Sequence, residues 1–252
     1  LGIARSTYYY ECKGREDDPE LEEAIQRAYE ENRCVYGQRK LKQALRRKGW
    51  LVSRRRIGRI MRKRGLVSAY TRKKYRPHKT KSNESSAPNL LGRNFDGHAP
   101  GVCVVSDLTY VRVSDRWCYV CLLLDLGARE IIGYSAGRHK DAELVRKAFA
   151  AVQGNLLNIQ MFHTDRGSEY DNMLIDELLI GFGIDRSLSM RGCPYDNAVA
   201  EATFRAIKTE FVNQRRFGTL EQLQVELADY VHWFNHIRLH GTLAYKTPVE
   251  YR

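Results

Sequence analysis

Residues 102–126 read VCVVSDLTYVRVSDRWCYVCLLLDL, and the fold turns on how this stretch is parsed. Two apolar, β-branched runs, 102–113 and 117–126, flank Ser114-Asp115-Arg116, which predicts a β-hairpin. Working outward, residues 129–137 (REIIGYSAG) predict a third strand and residues 142–152 (AELVRKAFAAV) an amphipathic helix. Residues 159–165 (IQMFHTD) predict a fourth strand ending at Asp165. A helix over 172–183, a short fifth strand over 184–189 and a turn-rich loop, SMRGCPYDN, follow. A long helix is expected from about Asn197 to Phe211, then a last helix over 220–237 and a short tail. Strands and helices alternating in this order predict an α/β core.

The chain before this core has a different texture. Residues 19–31 predict a helix, with Pro19 in its first turn and acids near its positive end. Residues 38–48 place Leu41, Ala44 and Leu45 on one stripe, and Gly49 ends that helix. Ser53 reads as the N-cap of a helix over 54–64, with Ile57, Ile60 and Met61 at i, i+3 and i+4, closed by Gly65. Two short helices joined by a tight glycine-containing turn make a helix-turn-helix pattern, whose second helix enters the DNA major groove. Arg54, Arg55, Arg56, Arg59, Arg62 and Lys63 occupy the other faces of that helix and are its candidate DNA contacts. From 70 to 100 the periodicity fails in a basic, polar, proline-containing segment, expected as a linker or arm whose Lys73 and Lys74 face DNA phosphates. The expected organisation is therefore 1–69 helical and DNA-binding, 70–100 linker, 101–215 the α/β core, and 216–252 a C-terminal helix and tail packed on the core.

Charge supports a nucleic-acid partner. The net charge is +12, but residues 1–90 carry 24 Lys+Arg against 10 Asp+Glu, whereas residues 91–252 carry 18 against 20. Between Arg39 and Lys81 there are 19 basic residues and no acidic one, the footprint of a phosphate-backbone partner. The six cysteines are scattered and read as reduced thiols. Cys118 and Cys121, three apart on a strand, point to opposite faces, which argues against a zinc site. No apolar run reaches the length of a membrane span. The chain begins at Leu1, so a longer protein with its start missing is expected.

Three acids stand out: Asp107 within the first strand, Asp165 at the end of the fourth, and Glu201 near the start of the long helix. A carboxylate among Val104, Val105, Leu108 and Val111 is costly unless paired or metal-bound. Glu201, Arg205 and Lys208 fall at i, i+4 and i+7, so two cations share the face of one acid. Hard oxygen ligands suit Mg²⁺, and a pair of such ions serves an in-line phosphoryl displacement.

VVSDLTYV, FHTDRGSEY and GCPYDNAVAEATFRAIKTE resemble the three catalytic blocks of DDE transposases, most closely the second-frame product of the bacterial insertion sequence three family, relatives of the retroviral integrases. The gap of 35 residues between Asp165 and Glu201 matches that family's spacing. CVYGQRKLKQALRRKGWLVSRRRIGRIMRKRGL resembles its helix-turn-helix block, and FNHIRLHGTLAYKTPVEY its C-terminal block. Val104 stands where the family usually has Trp, and Met190-Arg191 where Arg-Lys is common. The resemblance implies a ribonuclease H-like integrase core: a mixed five-stranded sheet with flanking helices behind an all-α DNA-binding domain. It implies that Asp107, Asp165 and Glu201 ligate two Mg²⁺ or Mn²⁺ ions, and that His163, Asn197 and His240 position groups or DNA. It further implies binding of terminal inverted repeats, 3′-end cleavage and strand transfer by a copy-out, paste-in route. The partners are double-stranded DNA, both element ends and target, and at least a second copy of the chain, in the bacterial cytoplasm at the nucleoid. Two other readings are a ribonuclease H-like nuclease or integrase of another mobile element, and a silent DNA-binding regulator derived from a transposase. Against a retroviral-type integrase, no His-His-Cys-Cys module precedes the core.

Overall fold

A computed structural model describes residues 2, 4–9, 18–71, 88–190 and 193–252. Lys73, Lys74 and Arg191 lie outside the described residues. The chain divides into two compact units, Leu1–Thr71 and Arg72–Arg252.

The first unit is helical: α1 (Arg5–Tyr8), α2 (Pro19–Glu31), α3 (Gln38–Arg47) and α4 (Arg54–Lys63). Asp18 caps α2 by accepting from Glu20 N at 3.0 Å, and Ser53 caps α4 by accepting from Arg56 N at 3.2 Å. Each cap satisfies one of the four backbone donors that a helix start leaves orphaned. Between α3 and α4 the chain reverses through Gly49, whose φ of 86° favours glycine. The apolar stripes of α2, α3 and α4 meet in a core of Leu21, Ile25, Leu41, Leu45, Ile57 and Ile60. Arg54, Arg55 and Arg62 of α4 are thereby left exposed.

The second unit holds β1 (Cys103–Val113), β2 (Arg116–Asp125), β3 (Ile131–Gly137), α5 (Ala142–Ala150), β4 (Met161–Thr164), α6 (Met173–Phe182), β5 (Asp185–Leu188), α7 (Ala198–Glu210), α8 (Leu220–His236) and α9 (Pro248–Tyr251). The sheet order is β3-β2-β1-β4-β5. β1–β2 and β2–β3 are antiparallel, whereas β1–β4 and β4–β5 are parallel. This is the mixed five-stranded sheet that the family resemblance implies. Val113 pairs with Arg116, so the hairpin turn is Ser114-Asp115 alone, with Ser114 at φ 50°. β3 begins at Ile131 rather than at 129, because Asp125 folds residues 126–130 into a turn. Its carboxylate accepts from the backbone of Gly101, Gly127 and Ala128 at 2.9, 3.3 and 2.7 Å.

α5 and α6 bury an apolar layer against the sheet, in which Val104, Leu123, Leu144 and Leu179 pack around Phe149, Phe162 and Tyr170. Burying each such side chain contributes about 1.5–3 kcal/mol. Gly133 permits the close approach of α5, since a Cβ there would stand 2.4 Å from the Ala148 carbonyl. α7 lies against β1 and α8 against β3.

The expected linker ends earlier than its sequence suggests. Residues 88–100 form a strap on the core: Leu91 is buried, and Leu90 N and Leu91 N both donate to Ser187 Oγ. Asn89 Nδ2 and Arg93 Nε donate to the buried Asp196 at 2.9 and 2.6 Å. The strap's low apolar content hides it from a periodicity reading; its hold comes from hydrogen bonds to residues about a hundred positions away.

Candidate active site

The site arises where β1 loses a neighbour. Of β1, only Cys103–Val105 pairs with β4, in a register that sets Val105 against His163. Continued two residues, that register brings Asp107 level with Asp165, just where β4 has ended and the edge of β1 opens. Asp165, just past the carboxyl end of β4, follows the general preference of open α/β sheets for sites at strand ends. α7 then supplies Glu201. Its start is tied to β1 beside Asp107, because Asn197 Nδ2 donates to the Ser106 carbonyl at 3.3 Å. Asn197 Oδ1 is buried without a hydrogen-bond partner among the described residues.

Asp107, Asp165 and Glu201 line one cleft of about 790 Å³, together with Arg205 and Lys208. The structure therefore brings together five of the eight side chains that the sequence singled out on the core; His163, Asn197 and His240 do not line the cleft. The carboxylates share the cleft without converging on one point: among the described residues no three His, Cys, Asp or Glu side chains are grouped closely enough to hold a metal ion.

The electrostatics record the crowding. Burial first, then the neighbouring Asp165, pushes the Asp107 carboxyl up to about 7, against a backbone hydrogen bond from Leu108 N that favours the anion. Burial and Glu169 raise Asp165, although Gly167 N donates to its Oδ1 at 3.1 Å. Burial raises Glu201 too, with Asp165 adding and Arg205 opposing. An all-oxygen donor set whose members resist ionising together fits a hard divalent cation, whose charge would remove the strain.

Sequence reasoning missed a fourth acid. Glu169 is buried, pairs with Lys140 Nζ at 2.9 Å, and acts electrostatically on both Asp107 and Asp165. Its place four residues after Asp165 was a usable signal; Lys140 comes from beyond β3 and carried none. The histidines are placed differently. His163 is fully buried, with Nδ1 and Nε2 2.8 and 3.2 Å from the hydroxyls of Ser187 and Ser189, and burial lowers it to about 4. It is a neutral link between β4, β5 and the following loop. His240 packs edge-on to Phe234 and beside Arg238, and it does not line the cleft.

On α4, Arg54, Arg55, Arg62 and Lys63 are exposed, with Arg56 and Arg59 half-buried. Lys63 also pairs with Glu22 on α2, and Arg62 Nε donates to the Gly58 carbonyl at 3.3 Å. The face left most open is thus the N-terminal one, around Arg54 and Arg55. No helix among the described residues is long and apolar enough to cross a membrane.

Comparison with known proteins agrees with both units. Residues 16–74 match an HTH-like domain, and residues 97–194 and 201–252 match an integrase core domain. The chain is 36% identical over 264 residues to the putative transposase for insertion sequence element IS986/IS6110 of Mycobacterium tuberculosis (strain CDC 1551 / Oshkosh), covering 99% of this chain and 95% of the relative. It is 30% identical over 234 residues to the transposase for insertion sequence element IS904 of Lactococcus lactis subsp. lactis (strain IL1403), covering 92% of each. Among solved structures, the simian T-cell lymphotropic virus intasome in complex with PP2A regulatory subunit B56 gamma aligns with a TM-score of 0.52 at 14% identity. That alignment covers 90% of this chain and 73% of the other, and supports the ribonuclease H-like fold of integrases. An HTH-like domain, an integrase core and this similarity along nearly the whole length make the chain a member of the transposases of bacterial insertion sequences.

Proposed function

We propose that Asp107, Asp165 and Glu201 are the catalytic triad of a DDE transposase that cleaves the 3′ ends of its element and joins them to target DNA. The observation that carries this reading is the placement of Asp107 level with Asp165 in a cleft that Glu201 also lines. The three carboxylates would hold two Mg²⁺ or Mn²⁺. When bound, these ions would activate the attacking oxygen and take up charge on the departing one.

The chain's own groups do the positioning. Arg205 and Lys208, one and two turns beyond Glu201 on α7, meet the non-bridging phosphate oxygens and orient the strand. In cleavage, water oxygen bonds to phosphorus as the P–O3′ bond breaks, leaving a 3′-hydroxyl on the element. In transfer, that hydroxyl attacks a target phosphodiester, its proton is lost to solvent, and a target 3′ oxygen departs. No covalent bond to the chain forms. Asn197 holds the start of α7 against β1 and so fixes Glu201 relative to Asp107. The exposed arginines of α4 read the terminal repeats, with Lys73 and Lys74 on the backbone. Two ends must be held at once, so the working form is at least a homodimer.

Strand transfer of a pre-cut element end in Mg²⁺ tests this. Asp107→Asn should lower the rate by about 10³-fold or more, with DNA affinity unchanged. Retention of wild-type transfer would exclude the triad. A wild type that binds the element end but gives no transfer would instead favour the silent-regulator reading.

A further inference from the structure

The cleft continues past the acids to an aromatic corner. Tyr110 and Trp117 line it with Asp107, Asp165 and Glu201. The hairpin register pairs Arg112 with Trp117 and Tyr110 with Tyr119, and strand alternation puts Tyr110, Arg112 and Trp117 on one face. The two rings are 47% and 50% exposed, although the other face of the same strands buries Val111, Val113, Cys118 and Val120. They meet edge to face, with centroids 5.0 Å apart and planes at 86°. Each carries a cation: the Arg112 guanidinium is 5.7 Å from the Trp117 ring centre, and Lys208 Nζ is 4.7 Å from that of Tyr110.

Half-exposed rings beside cations suit a nucleotide, whose base stacks on the ring while its phosphates meet the charges. Distance selects which nucleotide. Three residues of strand set Tyr110 about 10 Å from Asp107, roughly three steps along one DNA strand at 3.4 Å a step. Bases inside a duplex offer only their edges to a protein, since their faces are covered by neighbours. An unpaired base at a frayed end offers a face.

We infer that Tyr110 and Trp117 form a stacking site for an unpaired base two to three nucleotides from the phosphate held at the acids, with Arg112 and Lys208 on its flanking phosphates. This rests on the reading of the cleft as the DNA site. It makes the core a reader of opened DNA ends, separate from the duplex-reading helix α4.

The test uses the full chain in chelator with two DNA hairpins. One has its last three base pairs mismatched and carries 2-aminopurine in the unpaired stretch; the other is fully paired. Wild type should quench the 2-aminopurine on binding and prefer the frayed hairpin. Trp117→Ala should abolish the quenching and weaken frayed-end binding by about 5- to 150-fold, with the paired hairpin unchanged. Trp117→Phe, which keeps a ring, should restore both. Equal loss on both hairpins, or quenching that survives Trp117→Ala, would overturn the stacking site. An Arg205→Ala/Lys208→Ala variant separates the two readings. If it leaves the affinity and the quenching of wild type, the cleft is not the DNA site and the stacking site falls with it. If it weakens both while Trp117→Ala changes neither, only the stacking site falls.

Discussion

The two ends of α7 treat an acidic side chain in opposite ways. Glu210, at the C-terminal end, is buried and fully answered: Arg238 donates from Nε and NH2 at 2.8 and 2.7 Å, and Tyr230 OH donates at 3.0 Å. Glu201, nine residues and about 13 Å earlier, faces Asp107 and Asp165 across a cleft, and all three are pushed toward their protonated forms. One helix thus carries an acid that ties α7 to α8 and the segment after it, and an acid that shares a cleft with two further carboxylates. A structural carboxylate is thus told from a candidate functional one by whether the fold supplies its counter-charge.

The largest expected effect breaks the answered end. Arg238→Ala leaves Glu210 buried without its cation and should destabilise the chain by about 3–5 kcal/mol in denaturant unfolding. A loss below about 1 kcal/mol would mean that the pair is no more than a surface bridge.

The crowded end should respond with the opposite sign. The Asp107 carboxyl is raised to about 7 in the fold and titrates near its ordinary value when unfolded. Between roughly pH 4 and 7 the folded chain therefore binds more protons than the unfolded one, and stability falls as pH rises through that window. Asp107→Asn removes the term. In chelator at pH 8 it should stabilise by about 2 kcal/mol, less than the full shift because the carboxyl is only part-buried. At pH 4 the gain should vanish. Destabilisation by Asn at pH 8 would show that the carboxylate is answered after all.

How much of this was legible in the sequence depends on the range of the interaction. Caps and stripes are local, so the helix at Pro19 was readable from that proline and the acids after it, the helix at Arg54 from Ser53, and the helix at Ala142 from its amphipathic pattern. The hairpin was readable from alternation around Ser114. The three acids could be picked out, yet their meeting could not be derived, because it depends on β1 pairing in parallel with a strand 58 positions later. The Glu169–Lys140 pair and the Tyr110–Trp117 corner are likewise products of register. The strap at 88–100 escaped for a related reason: polar groups specify it, and Asp196, which anchors it, is silent until the chain has folded.

A smaller effect belongs to the helical unit, where charge is exposed and cheap to remove. Arg54→Ala with Arg55→Ala should weaken binding to the element end about 10-fold and reduce the salt slope by about 2, with folding and the core's chemistry at saturating DNA unaffected. An unchanged salt slope would take those two side chains off the phosphates and bases.

As proposed, Asp107, Asp165 and Glu201 act as one cation site although their side chains do not converge on one point. Mn²⁺ titration of the full chain on an element-end duplex, followed by electron paramagnetic resonance, tests it most directly. Two ions should bind per active cleft, with a proton released on binding near pH 6 and at least one ion lost in each of Asp107→Asn, Asp165→Asn and Glu201→Gln. Mn²⁺ uptake that is indifferent to all three substitutions would contradict it.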